Sequence, residues 1–113
     1  MREGWLVSGG EVLASAVEDT SLRRSLTPLG LERRLEVALI ARALPVGILG
    51  RLRQPLSAGY LSGEGRVLAL RVLSSWQLLR RPTGASRLMI VPTAPLERAN
   101  LGVGDTVEFR AVA

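Results

Sequence analysis

Cysteine, histidine and lysine are all absent from the 113 residues, and the aromatic side chains number four: Trp5, Tyr60, Trp76 and Phe109. Each absence closes off a chemistry. Without cysteine there is no disulfide and no thiolate metal site, and the lack suits a reducing, cytoplasmic setting. Without histidine, cysteine or lysine, no ordinary side chain is poised near neutral pH as an acid, base or nucleophile. A serine would lack its usual activating partner. The acids adjoin only at Glu18-Asp19, where a helix N-terminus opening at Asp19-Thr20-Ser21 accounts for them. No run of acids has the loop spacing of a calcium or magnesium site. The chain is therefore expected to be no enzyme and to carry no cofactor or metal.

Long apolar runs are missing too. Residues 37–41 and 88–92 fall far short of the ~20 residues that span a bilayer. The opening Met1-Arg2-Glu3-Gly4-Trp5 has no basic region followed by an apolar core, as a secretory signal would. The expectation is a cytoplasmic protein with no membrane partner.

What is present is enough for one globular domain over 1–113. Hydrophobic residues make up 47% and charged residues 22%, a balance that supports a packed core without staples. All fifteen basic residues are arginine, and the net charge of +5 is unevenly spread. Residues 1–20 carry one arginine against four acids, whereas residues 21–53 carry seven arginines against Glu32 and Glu36. The positive field belongs to the middle and the end of the chain.

Strand signals dominate. Trp5–Ser8 and Glu11–Val17 flank Gly9-Gly10, a dipeptide suited to the positive φ values of a hairpin turn. Leu56–Leu61 and Arg66–Leu73 flank a second turn, Ser62-Gly63-Glu64-Gly65. Leu88–Val91 reads as a strand covered on both faces. Val107, Phe109 and Ala111 alternate with polar neighbours, one face in and one out. A short helix is predicted near 20–27, before Pro28 and Gly30, and one turn of helix or a proline-bounded turn over 93–100. Residues 31–44 fit either a helical face or a buried strand. Asp105 is expected to cap the turn before the last strand. The predicted fold is α+β and mainly β: a small, partly closed, antiparallel barrel-like sheet with one short helix.

The stretch Leu52-Arg53-Gln54-Pro55-Leu56-Ser57-Ala58-Gly59-Tyr60-Leu61-Ser62-Gly63-Glu64-Gly65-Arg66-Val67 resembles a signature of the domain-of-unknown-function 192 family, Met-Arg-Phe-Pro-Ile-Asp-Val-x-Phe-Leu-Asp-x-Asp-Gly-x-Val. Ala99-Asn100-Leu101-Gly102-Val103-Gly104-Asp105 is similar to the family's closing Gly-Leu-x-Val-Gly-Asp. Leu22-Arg23-Arg24 and Glu36-Val37-Ala38-Leu39-Ile40 loosely match its arginine-rich turn and apolar strand. The resemblance spans most of the chain and implies a small β-rich protein without an assigned activity. It also marks departures. The family's methionine falls at Leu52, its aspartate at Ser57, and the preceding His-Thr pair has no counterpart in Ile48-Leu49-Gly50-Arg51. The proline, apolar alternation and turn glycines remain; the polar set does not.

Two candidate surfaces follow. Arg23, Arg24, Arg33, Arg34, Arg51, Arg53, Arg80 and Arg81 are candidate phosphate or nucleic-acid contacts, since guanidinium forks grip phosphates and a basic stripe is an electrostatic footprint. Against this, the few aromatics do not interleave with the arginines in the sequence, and exposed arginines also serve simply as a solvated face. Trp76, Leu78 and Leu79 form a candidate interaction patch with flanking arginines. The plainer alternative is that Trp76 closes one end of the barrel. The expected role is a non-enzymatic binding or protein-interaction module, with a second copy or another protein as partner. A basic nucleic-acid-binding accessory protein is the alternative, and a carboxylate-based enzyme a remote one.

Overall fold

The computed structural model describes residues 2–19, 37–43 and 45–112. Both glycine turns form as expected. Gly9 and Gly10 take φ of 59° and 82° and join β1 (Arg2–Ser8) to β2 (Glu11–Asp19). The second turn joins β5 (Leu56–Leu61) to β6 (Val67–Val72). Between the hairpins lie β3 (Ala38–Arg42) and the short β4 (Val46–Ile48). After them come β7 (Leu78–Arg80), β8 (Arg87–Pro92), one helix, α1 (Thr93–Arg98), and β9 (Glu108–Ala111). The strand alternative thus holds for 38–42, while the helix expected near 20–27 lies outside the described residues.

Seven strands make one sheet in the order β6-β5-β8-β3-β2-β1-β9, and β4 pairs with β7 as a separate ribbon. The mainly β expectation stands. Its antiparallel form needs correcting, because β2 and β3 run parallel. Residues 20–37 separate them, and a parallel pair needs a long crossover of that kind rather than a tight turn. Nor does the sheet close along its length. Among the described residues its outer strands β6 and β9 do not pair, and the edges meet where Arg66 bridges Thr106. There the Val67 amide donates to the Asp105 carbonyl at 2.8 Å, and the Val107 amide donates to Gly65 at 2.8 Å. Gly65 makes this approach feasible: it sits at φ +87°, and a Cβ there would lie 2.3 Å from the Val107 carbonyl oxygen.

Alternation along the central strands divides the core in two. On β5, Leu56, Ala58 and Tyr60 pack to one side with Leu39, Leu88 and Ile90, and beneath the ribbon with Leu49 and Leu79. On the other side Leu61, Ile40, Met89 and Val91 pack with Leu6, Val107 and Leu96 of α1. All six residues of β5 are buried, as a period-two strand covered on both faces requires. Burial pushes the Tyr60 hydroxyl above its ordinary pKa, with the Arg71 guanidinium partly opposing.

One buried charge is built into this second side. The helix whose N-terminus Glu18 is expected to meet lies outside the described residues; what the structure shows for Glu18 is a different set of partners. It is a β2 residue, buried, with ion pairs to Arg2 of β1 and to Arg87 of β8 at 3.4 Å. Arg2 also lies over the Phe109 ring, 5.6 Å from its centroid. A desolvated carboxylate is retained when guanidinium groups compensate it, and this one ties three strands of the sheet to Phe109 of a fourth.

Candidate interaction surface

The ribbon begins from local pattern. Val46 pairs with Arg80, Gly47 with Leu79 and Ile48 with Leu78. Strand alternation sends Leu79 inward, where it is 3% exposed, and leaves its neighbours outward. Val46 (53% exposed), Ile48 (55%) and Leu78 (47%) thus share one solvent-facing side with Arg80. Trp76, 67% exposed, occupies the turn leading into β7. Large apolar side chains singly exposed are ordinary, but four on one small element form a patch.

Trp76 is held in place under strain. Its φ is 63°, in the left-handed region that bulky L-residues rarely enter. The surrounding hydrogen bonds over-determine it. The Trp76 amide donates to the Gly50 carbonyl at 3.1 Å, and the Leu49 amide to the Gln77 carbonyl at 2.9 Å. The Leu52 amide donates to Ser75 Oγ, and the Ser74 amide to Gln77 Oε1, both at 2.9 Å. These bonds also bring Arg51 and Arg53, both exposed, beside the tryptophan turn. Between Glu36 and Glu97 the chain has a single acid, Glu64, so the apolar patch carries a basic rim.

A second feature lies across the sheet. A cleft of about 320 Å³ opens between the β6 edge and α1, lined by Ser57, Leu70, Val72, Thr93, Leu96 and Leu101 among others. Ser57, where the resembled family has aspartate, is buried, with its Oγ 2.9 Å from Thr93 Oγ1. Among the described residues no three acids gather as metal ligands would.

This architecture has solved counterparts. The chain is similar to a Sinorhizobium meliloti protein described as a "putative transcription regulator", with a TM-score of 0.68 at 10% identity, over 96% of this chain and 92% of the other. It is also similar to a protein of unknown function from Novosphingobium aromaticivorans, with a TM-score of 0.55 at 15% identity, over 83% and 72%. At such identities the likeness establishes the fold alone. No family model and no curated protein matches.

Of the residues singled out in the sequence, Leu78 lies on the exposed face of the ribbon and Trp76, also exposed, in the turn that leads into it, while Leu79 faces the core. Trp76 therefore does not close a barrel end. Arg51, Arg53 and Arg80 flank the patch; Arg81 folds back, its Nη1 donating to the Ala43 carbonyl at 3.0 Å. Arg23, Arg24, Arg33 and Arg34 lie outside the described residues. Sequence reasoning missed Val46 and Ile48, whose alternation around Gly47 is a period-two signal only three residues long. Among the described residues no helix is long and apolar enough to cross a membrane.

Proposed function

We propose that this chain is a non-enzymatic protein-interaction module that works in the cytoplasm and docks its partner on the outer face of the β4–β7 ribbon. The observation that carries the reading is the exposed face of Val46, Ile48 and Leu78, with strained, exposed Trp76 in the adjoining turn and Arg51, Arg53 and Arg80 nearby. Apolar anchors with an arginine rim are the anatomy of a binding patch. Backbone strain at an exposed residue is the kind of outlier that points to use rather than to folding. Charge selects the partner: a net positive chain with a basic rim attracts an acidic amphipathic segment and disfavours a second copy on the same face. The resemblance to the domain-of-unknown-function 192 family belongs to the same proposal, with the chain as a divergent member.

A second reading has one observation in its favour. Exposed Trp76 has Arg51 and Arg53 beside its turn and Arg80 further along the ribbon, which supports a stacking surface with phosphate grips near it. The chain would then be a nucleic-acid-binding accessory protein, a reading with which the description of the Sinorhizobium meliloti relative is compatible.

One titration separates the two. In a Trp5→Phe background, Trp76 is the sole tryptophan and reports on its own surface. A capped peptide alternating leucine and glutamate is expected to shift its emission saturably, while the leucine–lysine counterpart does not. Oligothymidylate is expected to bind weakly at low salt and to be lost as salt rises. Strong oligothymidylate binding without a peptide response would favour the second reading. Silence from every probe would remove both.

A further inference from the structure

The β5–β6 pairing determines which backbone groups of the sheet edge face outward. The Leu73 amide donates to the Leu56 carbonyl at 2.9 Å, so this pair exchanges bonds within the ladder. Antiparallel pairs alternate in this respect, and the register continues Ser57↔Val72, Ala58↔Arg71, Gly59↔Leu70 and Tyr60↔Ala69. Arg71 and Ala69 therefore turn their N–H and C=O toward β5, and Val72 and Leu70 turn theirs away. The irregularity between Tyr60 and Leu61 resets the alternation, and Val67 also faces outward. At Val67 the outward groups are already paired. Its amide donates to Asp105, and its carbonyl accepts from the Gly104 amide at 2.9 Å. Residues 104–106 thus lie on the edge as a first, short piece of an extra strand, and the chain then leaves it. Among the described residues nothing takes the outward groups of Leu70 and Val72.

The cleft lies along that free stretch. Leu70 and Val72 form one wall; Leu96 of α1 and Leu101 form the other; the Ser57 and Thr93 hydroxyls lie between them. We infer that this edge is a peptide-binding groove, in which an extended segment of another protein adds to β6 by main-chain hydrogen bonds at Leu70 and Val72. The backbone row identifies the occupant's chemistry. Donors and acceptors repeating every second residue match an extended polypeptide and no compact small molecule. Side chains alternate as well, so every second residue of the guest lies on the same face as Leu70 and Val72, which suit it to apolar neighbours. The groove is distinct from the β4–β7 ribbon, and its test is independent of that reading.

The experiment uses the full chain labelled for amide NMR and a capped heptapeptide alternating valine and serine. A second version of the peptide is N-methylated at alternate positions on the edge that would face β6. The expected result is slowed exchange of the Leu70 and Val72 amides on binding, shifts at Ser57 and Thr93, and a loss of affinity of about tenfold or more for the methylated peptide. Val72→Pro removes an outward donor without touching the β5 ladder, as edge strands tolerate, and is expected to abolish the response. Val72→Thr keeps the donor and is expected to retain it. Equal affinity for the two peptides, or no binding at all, would overturn the proposal. So would concentration-dependent protection of Leu70 without peptide, which would assign the edge to a second copy.

Discussion

The two walls of the first core, β5 and the β4–β7 ribbon, use the same apolar vocabulary to opposite ends. In β5 every side chain is buried, and each alternate residue has a defined neighbour on one of the two faces. In the ribbon, Leu49 and Leu79 complete that core, while Val46, Ile48, Leu78 and Trp76 remain in solvent. Folding accounts for the first set through the free energy of removing apolar surface from water. It gives no reason for the second. An apolar residue whose removal leaves the fold intact is the one to suspect of binding.

That contrast can be broken or sharpened by substitution. The largest loss is expected where the sheet edges meet. Gly65→Ala combines an unfavourable φ with a Cβ directed at the Val107 carbonyl, and should cost about 3 kcal/mol in urea unfolding. Glu18→Gln comes next. It leaves Arg2 and Arg87 uncompensated at a buried position, but both side chains are about half exposed and can hydrate, so roughly 2 kcal/mol is expected rather than the full cost of breaking a wholly buried pair.

Tyr60 tests the buried side by pH. Its pKa is raised in the fold by burial, so the unfolded chain loses the phenolic proton first. Stability should therefore be full below about pH 10 and fall as pH climbs through the higher folded value. The chain has no lysine, no cysteine and no second tyrosine. Tyr60→Phe should flatten the alkaline limb of a stability profile; an unchanged limb would show that burial of Tyr60 is not its source.

On the ribbon the effects should nearly vanish. Ile48→Ser and Val46→Ser are expected to change stability by no more than about 0.5 kcal/mol while weakening the leucine–glutamate peptide. A loss comparable to that of a core truncation would make these residues part of the fold.

Much of the sheet was legible because its signals are local. Gly9-Gly10 and Gly63 to Gly65 mark two hairpins, and the apolar run at 88–91 marks a doubly covered strand. Asp105 accepts the Gly102 amide at 2.8 Å, the turn cap read from its position. What escaped is non-local. Glu18 reads as a helix-capping acid until Arg2 and Arg87 arrive from strands distant in sequence. The β4–β7 ribbon joins two three-residue strands, each too short for periodicity to speak. Leu79 looks like its neighbour Leu78 in sequence, and only the pairing with Gly47 turns it inward. The cleft joins Ser57, Leu70 and Leu96 across three elements, and nothing in their spacing could have assembled it.

The most direct test of the ribbon's role is the unfolding free energy of Trp76→Gly. If Trp76 is held at φ 63° for binding, glycine relieves the strain, and stability should stay level or rise by up to about 1 kcal/mol. A fall of about 2 kcal/mol, the scale of a lost core contact, would contradict the account and return Trp76 to the fold.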